Sequence, residues 1–254
     1  MSDSNLKSYR SPAVLNWYKL LKVLIPVERK IFEDNRQLLE NAEVLDIGIG
    51  GGRTTDVLIE RCKHYTGIDY STGFVTIVKE KHPGKDLRVM DARDLSAFNE
   101  GAFDFVNFSF NGIDYVDEPG REKIFSEINR VLKPGGVFFF STHNKNHASF
   151  AKLPWADPSQ RFITNLKTCV KLAPFLPRHL MNKKKEVHAE KYAIINDSAH
   201  NYSLFTFYTS PGFLVEQLRN AHFTECRLLS KDGFEKPYEQ LDDWIFITCR
   251  KSVA

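Results

Sequence analysis

The chain has 254 residues, 42% of them hydrophobic and 26% charged, a length and balance that exclude a polar disordered chain and allow one extended core buried on both faces of a sheet. The formal net charge of +3 is too small to argue for nucleic acid by itself. Four cysteines, Cys62, Cys169, Cys226 and Cys249, stand far apart without a metal-binding or disulfide-like spacing, so neither zinc nor a disulfide framework is expected and a cytoplasmic location fits the reduced state.

In chain order, residues 11–40 (SPAVLNWYKLLKVLIPVERKIFEDNRQLLE) space Val14, Leu15, Tyr18, Leu21 and Leu24/Ile25 helically until Pro26 interrupts, which predicts two short helices. Strand-like and helical runs then take turns: AEVLDI, RTTDVLIERC, HYTGIDY, STGFVTIVKEKH, DLRVMD, FDFVNFSF, EPGREKIFSEINRVL and GGVFFFST. This alternation predicts a parallel sheet covered by helices. Ser71 or Thr72 is expected to cap one helix, and KPGG at residues 133–136 to end another. After Asn144 the rhythm is lost among Pro154, Pro158, Pro174 and Pro177, with one amphipathic run, QRFITNLKTCVKLA. It resumes at FYTSPGFLVEQLRNAHF, where Ser210 and Pro211 form a good N-cap and N1 pair, and closes with FTECRLLS and DDWIFITCRK, two more strands ending the sheet in antiparallel fashion. No run approaches the roughly 18 apolar residues needed to span a bilayer, and no signal peptide is expected.

The expected fold is α/β: a doubly wound, Rossmann-like, seven-stranded and mostly parallel sheet with an antiparallel last strand, helices on both faces and a lid insertion after the fifth strand. Residues 1–42 form an N-terminal helical cap, residues 43–144 and 201–254 the core, and residues 145–200 a basic insertion. Residues 145–191 carry ten Lys and Arg against three Asp and Glu, so the rest of the chain is net acidic.

The chemistry starts at EVLDIGIGGGRTTDVL, residues 43–58. Glycines between a strand and a helix let a ligand approach backbone N–H groups closely. A phosphate-binding P-loop needs a Lys-Ser/Thr pair after its last glycine, whereas Gly52 is followed by Arg53 and Thr54. A dinucleotide fingerprint starting at Gly48 and Gly50 would need a third glycine where Arg53 stands. What fits is Asp46-x-Gly48-x-Gly50-x-Gly52, with Gly51 read as ordinary turn chemistry. An acid at the mouth of this loop suits a ligand bearing an ammonium better than one bearing a pyrophosphate.

This segment resembles the first motif, (D/E)xGxGxG, of the class I S-adenosylmethionine-dependent methyltransferases, and the resemblance runs closely over residues 43–144 and loosely over 203–251. It implies S-adenosylmethionine as cofactor, S-adenosylhomocysteine as product and no metal. It also implies that Asp46, Gly48, Gly50 and Gly52 hold the amino-acid end, with Asp46 anchoring the ammonium through the loop and bound water. Asp69 and Tyr70 would meet the ribose and the adenine face, Asp91 and Ala92 the adenine edge, and Phe108, Ser109 and Asn111 the sulfonium. Phe105 and Phe108 also read as sheet core, and Tyr9 or Tyr18 of the N-terminal segment is placed to close over the cofactor.

Methyl transfer is an in-line displacement, so the first need is to hold donor and acceptor aligned in a site that excludes water. A base is required only for a protonated acceptor. His143, in STHNKNH at the end of the fifth strand, is the candidate catalytic residue, while the pair His143 and His147 lacks a third metal ligand in the sequence. The loop NFSFNG lacks the (D/N)PP(Y/F) tetrad of the family's base-amine and glutamine-amide methylators, so a small-molecule acceptor is expected, anionic or amphiphilic given the basic insertion. The rival readings are an RNA or protein methyltransferase, a non-catalytic cofactor-binding accessory protein and a dinucleotide oxidoreductase. Nucleic acid is disfavoured because the basic stretch, Lys183, Lys184 and Lys185 included, lacks interleaved aromatics. Peripheral membrane contact is open through FITNLKTCVKLA, and the oligomeric state is not indicated.

Overall fold

The computed structural model describes residue 5 and residues 8–152 and 161–253; the prolines 154 and 158 of the insertion lie outside them. Helices α1 (Pro12–Leu20), α2 (Pro26–Asp34) and α3 (Arg36–Leu39) precede the sheet. Pro12 and Pro26 occupy first-turn positions, where a missing N–H costs nothing. Glu28 in the first turn of α2 accepts the N–H of Ile25, the residue that precedes the helix, at 2.8 Å.

The core follows as β1 (Glu43–Ile47), α4 (Thr55–Leu58), β2 (His64–Asp69), α5 (Thr72–Lys81), β3 (Asp86–Val89), β4 (Phe103–Phe108), α6 (Glu118–Val131) and β5 (Leu132–Asn144). Beyond it lie α7 (Phe162–Leu172), α8 (Leu176–Lys183), β6 (Val187–His188), β7 (Tyr192–Ile195), β8 (Thr206–Thr209), α9 (Pro211–Asn220), β9 (Phe223–Leu229) and β10 (Trp244–Lys251). The sheet runs β3-β2-β1-β4-β5, all parallel, and continues through β10 to β9, with β10 antiparallel to both neighbours.

The expected mostly parallel, doubly wound sheet is therefore present, but the expected strand count is corrected. The sheet has ten strands among the described residues, because β6, β7 and β8 add a short antiparallel flap. The last β4–β5 pair is Phe108 with Phe140, and β8 then takes the vacated edge of β5, pairing Tyr208 with His143 and Thr209 with Asn144. Of the two closing strands only β10 is antiparallel to the core.

Alternate side chains along the central strands feed two separate cores, the signature of a sheet covered on both sides. Phe138 and Phe140 face α6 and α9 with Leu45, Ile47 and Val106. Val137 and Phe139 face α2 and α5 with Val44 and Phe105. Ser71 and Ser210 stand at the expected N-cap positions of α5 and α9, with Pro211 in the first turn of α9, but neither side chain makes a cap hydrogen bond. Asp117 is the side chain that caps α6, accepting the Gly120 N–H at 3.1 Å. No helix of the described residues is long and apolar enough to cross a membrane.

Candidate donor and acceptor sites

The chain changes direction across the sheet between β1 and β4, so a crevice opens at their C-terminal ends. A cavity of about 100 Å³ lies there, lined by Gly48 and Gly50 of the first loop, Asp69 and Tyr70 after β2, Asp91 and Ala92 after β3, and Phe108 and Ser109 after β4. Eight of the predicted residues thus meet in one place although they come from four strand ends. Gly48, Gly50 and Gly52 all have positive φ, and a Cβ on Gly48 would sit 3.0 Å from the Phe108 ring, so the loop needs glycine both for its backbone and for its clearance.

Asp69 ties two of these loops together. One carboxylate oxygen accepts the Gly50 N–H at 3.0 Å and the other the Ser71 N–H at 2.8 Å. Burial raises its pKa to about 6 against these two bonds. Asp91 is held by Arg93, which donates from Nε and Nη2 at 3.0 and 2.6 Å. Burial works to raise the Asp91 pKa, but the guanidinium and the Arg93 N–H outweigh it, and the net shift is downward.

Three predicted residues do not line this cavity. Asp46 is fully buried behind the loop, where its carboxylate accepts from Thr54 Oγ1 and Tyr65 Oη at 2.8 Å and from Asn107 Nδ2 at 2.6 Å. With its oxygens already engaged by β2, β4 and the start of α4, it fixes the loop rather than facing a ligand. Gly52 turns the chain beside Val78, and Asn111 faces a second cavity. Gly51, expected to be mere turn chemistry, is instead where the backbone of α1 lies against the loop: a Cβ there would stand 2.3 Å from the Tyr18 carbonyl oxygen.

Tyr9 and Tyr18 roof the first cavity, as the sequence suggested, within an aromatic cluster that includes Tyr70, Phe74 and Tyr115. Burial pushes the Tyr18 hydroxyl up to about 12. Arg53, whose position had only served to exclude other motifs, anchors the loop to α2. It forms a buried ion pair with Glu28, donating from Nη2 to Oε1 at 2.8 Å, and lies 4.8 Å from the Phe110 ring.

The second cavity, about 1140 Å³, adjoins the first and shares Tyr18, Phe110 and Tyr115 with it. His143 lies on its wall. His143 Nδ1 is 2.7 Å from Asp114 Oδ2, and the same oxygen accepts the His143 N–H at 2.8 Å. Asp114 Oδ1 accepts from Arg121 Nη1 at 2.6 Å and from the Thr142 hydroxyl at 2.5 Å. Asp114 and Arg121 have no exposed side-chain surface, and Arg121 is flanked by the rings of Phe207 and Phe125 at 4.5 and 5.5 Å. A carboxylate on Nδ1 makes that nitrogen the donor and leaves the Nε2 lone pair toward the cavity, where the Asn111 amide nitrogen lies 3.2 Å away.

Asp114 and Arg121 went unnoticed in the sequence; the available signal was an acid in the otherwise apolar run FSFNGIDYV, just past the fourth strand. Phe110 and Asn111, which open that loop, both have φ of +59°, a costly conformation for residues other than glycine and one that often accompanies a functional site. His147 does not join His143: its Nδ1 pairs with Ser149 Oγ at 2.7 Å. No group of three potential metal ligands occurs among the described residues.

The amphipathic run does form α7, but Phe162, Ile163, Leu166 and Val170 on it are exposed, from 52% at Leu166 to 80% at Phe162. Its apolar face is not packed on the domain. Leu180 and Met181 of α8 are exposed as well.

Residues 45–140 match the family model described as a methyltransferase domain. Among curated proteins, the ubiquinone biosynthesis O-methyltransferase of Xanthomonas oryzae pv. oryzae (strain PXO99A) is 34% identical over 137 residues, which are 52% of this chain and 56% of that enzyme. Phosphoethanolamine N-methyltransferase 2 of Caenorhabditis elegans is 36% identical over 138 residues, 51% of this chain and 31% of that protein. The match therefore spans little more than half, or less, of these relatives. A crystal structure of an S-adenosylmethionine-dependent methyltransferase from Methanosarcina mazei superposes with a TM-score of 0.60 at 21% identity, covering 92% of this chain and all of that one, a likeness of fold.

Proposed function

We propose, from the match of residues 45–140 to a methyltransferase domain and from the Asp46–Gly52 motif, that this chain is a class I S-adenosylmethionine-dependent methyltransferase and methylates a small molecule seated in the larger cavity, with His143 as the proton acceptor. The observation that carries this reading is the adjacency of two cavities of different character, one walled by the glycine loop and three further strand ends, the other by His143.

The donor residues fit the cofactor. Two carboxylates, Asp69 and Asp91, line the smaller cavity, and the one lining cation among the described residues, Arg93, is already paired with Asp91. This suits ribose hydroxyls and an adenine amino group and disfavours a pyrophosphate. When bound, the cofactor supplies a methyl group on a positively charged sulfur. Gly48 and Gly50 give its amino-acid end access to backbone N–H groups, Asp69 accepts from the ribose, and Tyr18 and Tyr70 help keep water out. Asp46 takes a supporting part, holding the loop in position from behind.

On the acceptor side, His143 Nε2 takes a proton from the acceptor atom once the acceptor displaces the Asn111 amide. That atom would then accept the methyl group the bound cofactor supplies, with S-adenosylhomocysteine as the product. Asp114 holds the ring in the required tautomer and stabilises the imidazolium that forms, acting as a positioning residue. Arg121 donates to Asp114 Oδ1 at 2.6 Å and so holds that carboxylate in place behind His143.

The exposed apolar stripe of α7, bordered by Lys167 and Lys171, supports peripheral contact with an anionic lipid surface as part of the same reading. Four free cysteines are in keeping with a cytoplasmic setting. Calorimetric titration with S-adenosylhomocysteine tests the donor half: the chain should bind it and Asp69→Ala should not, and a wild-type chain that fails to bind ends the proposal.

A further inference from the structure

We infer that the acceptor is anionic, its carboxylate or phosphate met by Lys171 and Arg178 while a flat apolar body lies among Trp17, Phe110 and Trp244. The inference deepens the proposed function and rests on its placement of the acceptor in the larger cavity.

His143, with 15% of its side chain exposed, and the buried Asn111 line that cavity, and Phe110, Trp17, Tyr18, Tyr115 and Trp244 contribute aromatic surface. Lys171 comes from the last turn of α7 and Arg178 from the first turn of α8, on the mobile-length side chains of two exposed positions. No aspartate or glutamate is among the described residues that line the cavity.

Neither cation has an ion-pair partner among the described residues. Lys171 has no ion-pair or hydrogen-bond partner among the described residues, and Arg178 only reaches the Asn201 carbonyl at 3.4 Å and the Phe175 ring at 5.8 Å. Elsewhere the chain pairs its cations readily, as in Lys191 with Glu216 at 2.7 Å and Lys133 with Asp104 at 2.8 Å. His200, also on the wall, is held toward its neutral form because burial lowers its pKa more than Asp197 raises it. Among the described residues that line the cavity, the formal charges are therefore those of Lys171 and Arg178. Two cations without an ion-pair partner among the described residues, beside a low-dielectric aromatic wall, attract an anion and penalise a cationic acceptor. The aromatic faces distinguish an anion with an apolar body from a bare inorganic ion.

The test uses the full chain, saturated with S-adenosylhomocysteine, and follows tryptophan fluorescence because Trp17 and Trp244 both line the cavity. Three probes of similar size are titrated at low salt: 3-phenylpropionate, phenyl phosphate and the neutral 3-phenylpropanamide. Both anions should bind at least about fivefold more tightly than the amide, and the advantage should shrink with added salt. It should vanish in Lys171→Ala/Arg178→Ala, whose exposed positions leave the fold intact. The ratio of the two anions tells carboxylate from phosphate recognition.

Equal binding of anions and amide, binding of none of them, or an anion preference that survives the double variant overturns the inference. S-adenosylhomocysteine binding is scored separately. If it binds and the anion preference is absent, only this inference falls. If it does not bind, the functional reading falls, and the same probes titrated into the unloaded chain still decide the charge preference.

Discussion

At the scale of single residues, Asp69 sets a pH dependence whose sign can be worked out. Its pKa stands at about 6 in the folded chain against 3.8 ordinarily, chiefly through burial. The folded state therefore favours the protonated acid, and this group's contribution to stability is full below pH 3.8 and lost as pH rises through 6. Ligand binding has the opposite sense, because ribose hydroxyls donate to the ionised form. With about one tenth of Asp69 ionised at pH 5, S-adenosylhomocysteine should bind roughly 10-fold more weakly there than at pH 7.5. Calorimetry across that range checks this, and Asp69→Asn should give a flat profile. His143 offers a second test once an acceptor is in hand. His143→Ala should lower kcat by about 100-fold or more while leaving S-adenosylhomocysteine affinity unchanged. Asp114→Asn should lower kcat in the same direction and alter the pH profile, a change that loss of packing alone would not produce.

At the scale of elements, the glycine loop is clamped from two sides. The backbone of α1 rests on Gly51, and Arg53 reaches Glu28 of α2. Gly51→Ala would drive a Cβ into the Tyr18 carbonyl, so α1 should lift off, seen as a red shift and quenching of Trp17 emission without global unfolding. Glu28→Ala leaves Arg53 buried without its carboxylate, a loss of about 3–5 kcal/mol for such a buried pair. A fall in Tm of roughly 6 °C or more is expected by calorimetry. On α7, Leu166→Glu and Val170→Glu should leave Tm unchanged and weaken co-sedimentation with anionic vesicles; unchanged sedimentation would remove the membrane part of the reading. These elements also show where the sequence was readable. Helical spacing and two prolines located α1 and α2, but nothing in SPAVLNWYKLL told that its backbone would seat on Gly51. That contact depends on two segments about thirty residues apart. Likewise the apolar period of α7 predicted a helix correctly, yet periodicity alone carries no information about what, if anything, covers the apolar side.

At the scale of the whole molecule, the alternation of strands and helices made the parallel sheet legible because it is a local, repeated signal. The flap β6–β8 was not, since its strands are two to four residues long and its register is set by the edge of β5 that β4 leaves vacant. The candidate donor cavity was legible for the same reason as the sheet: its lining side chains follow strand ends, which motifs mark. The candidate acceptor cavity draws on α1, the loop after β4, β5, α7, α8, residues 198–203 and β10, and no motif links them. The buried Asp114–Arg121 pair that supports His143 joins residues on either side of a turn whose geometry only the folded chain reveals.

The sharing of Tyr18, Phe110 and Tyr115 by both cavities has a kinetic consequence. Tyr18 lines both cavities, so if a ligand enters the smaller one by lifting α1, the acceptor's binding surface is unmade until α1 is back in place. Turnover should therefore follow a compulsory sequence, donor on before acceptor and demethylated donor off last. S-adenosylhomocysteine should inhibit competitively against the methyl donor and non-competitively against the acceptor, and crossed competitive patterns indicating random addition would show that the roof does not gate entry.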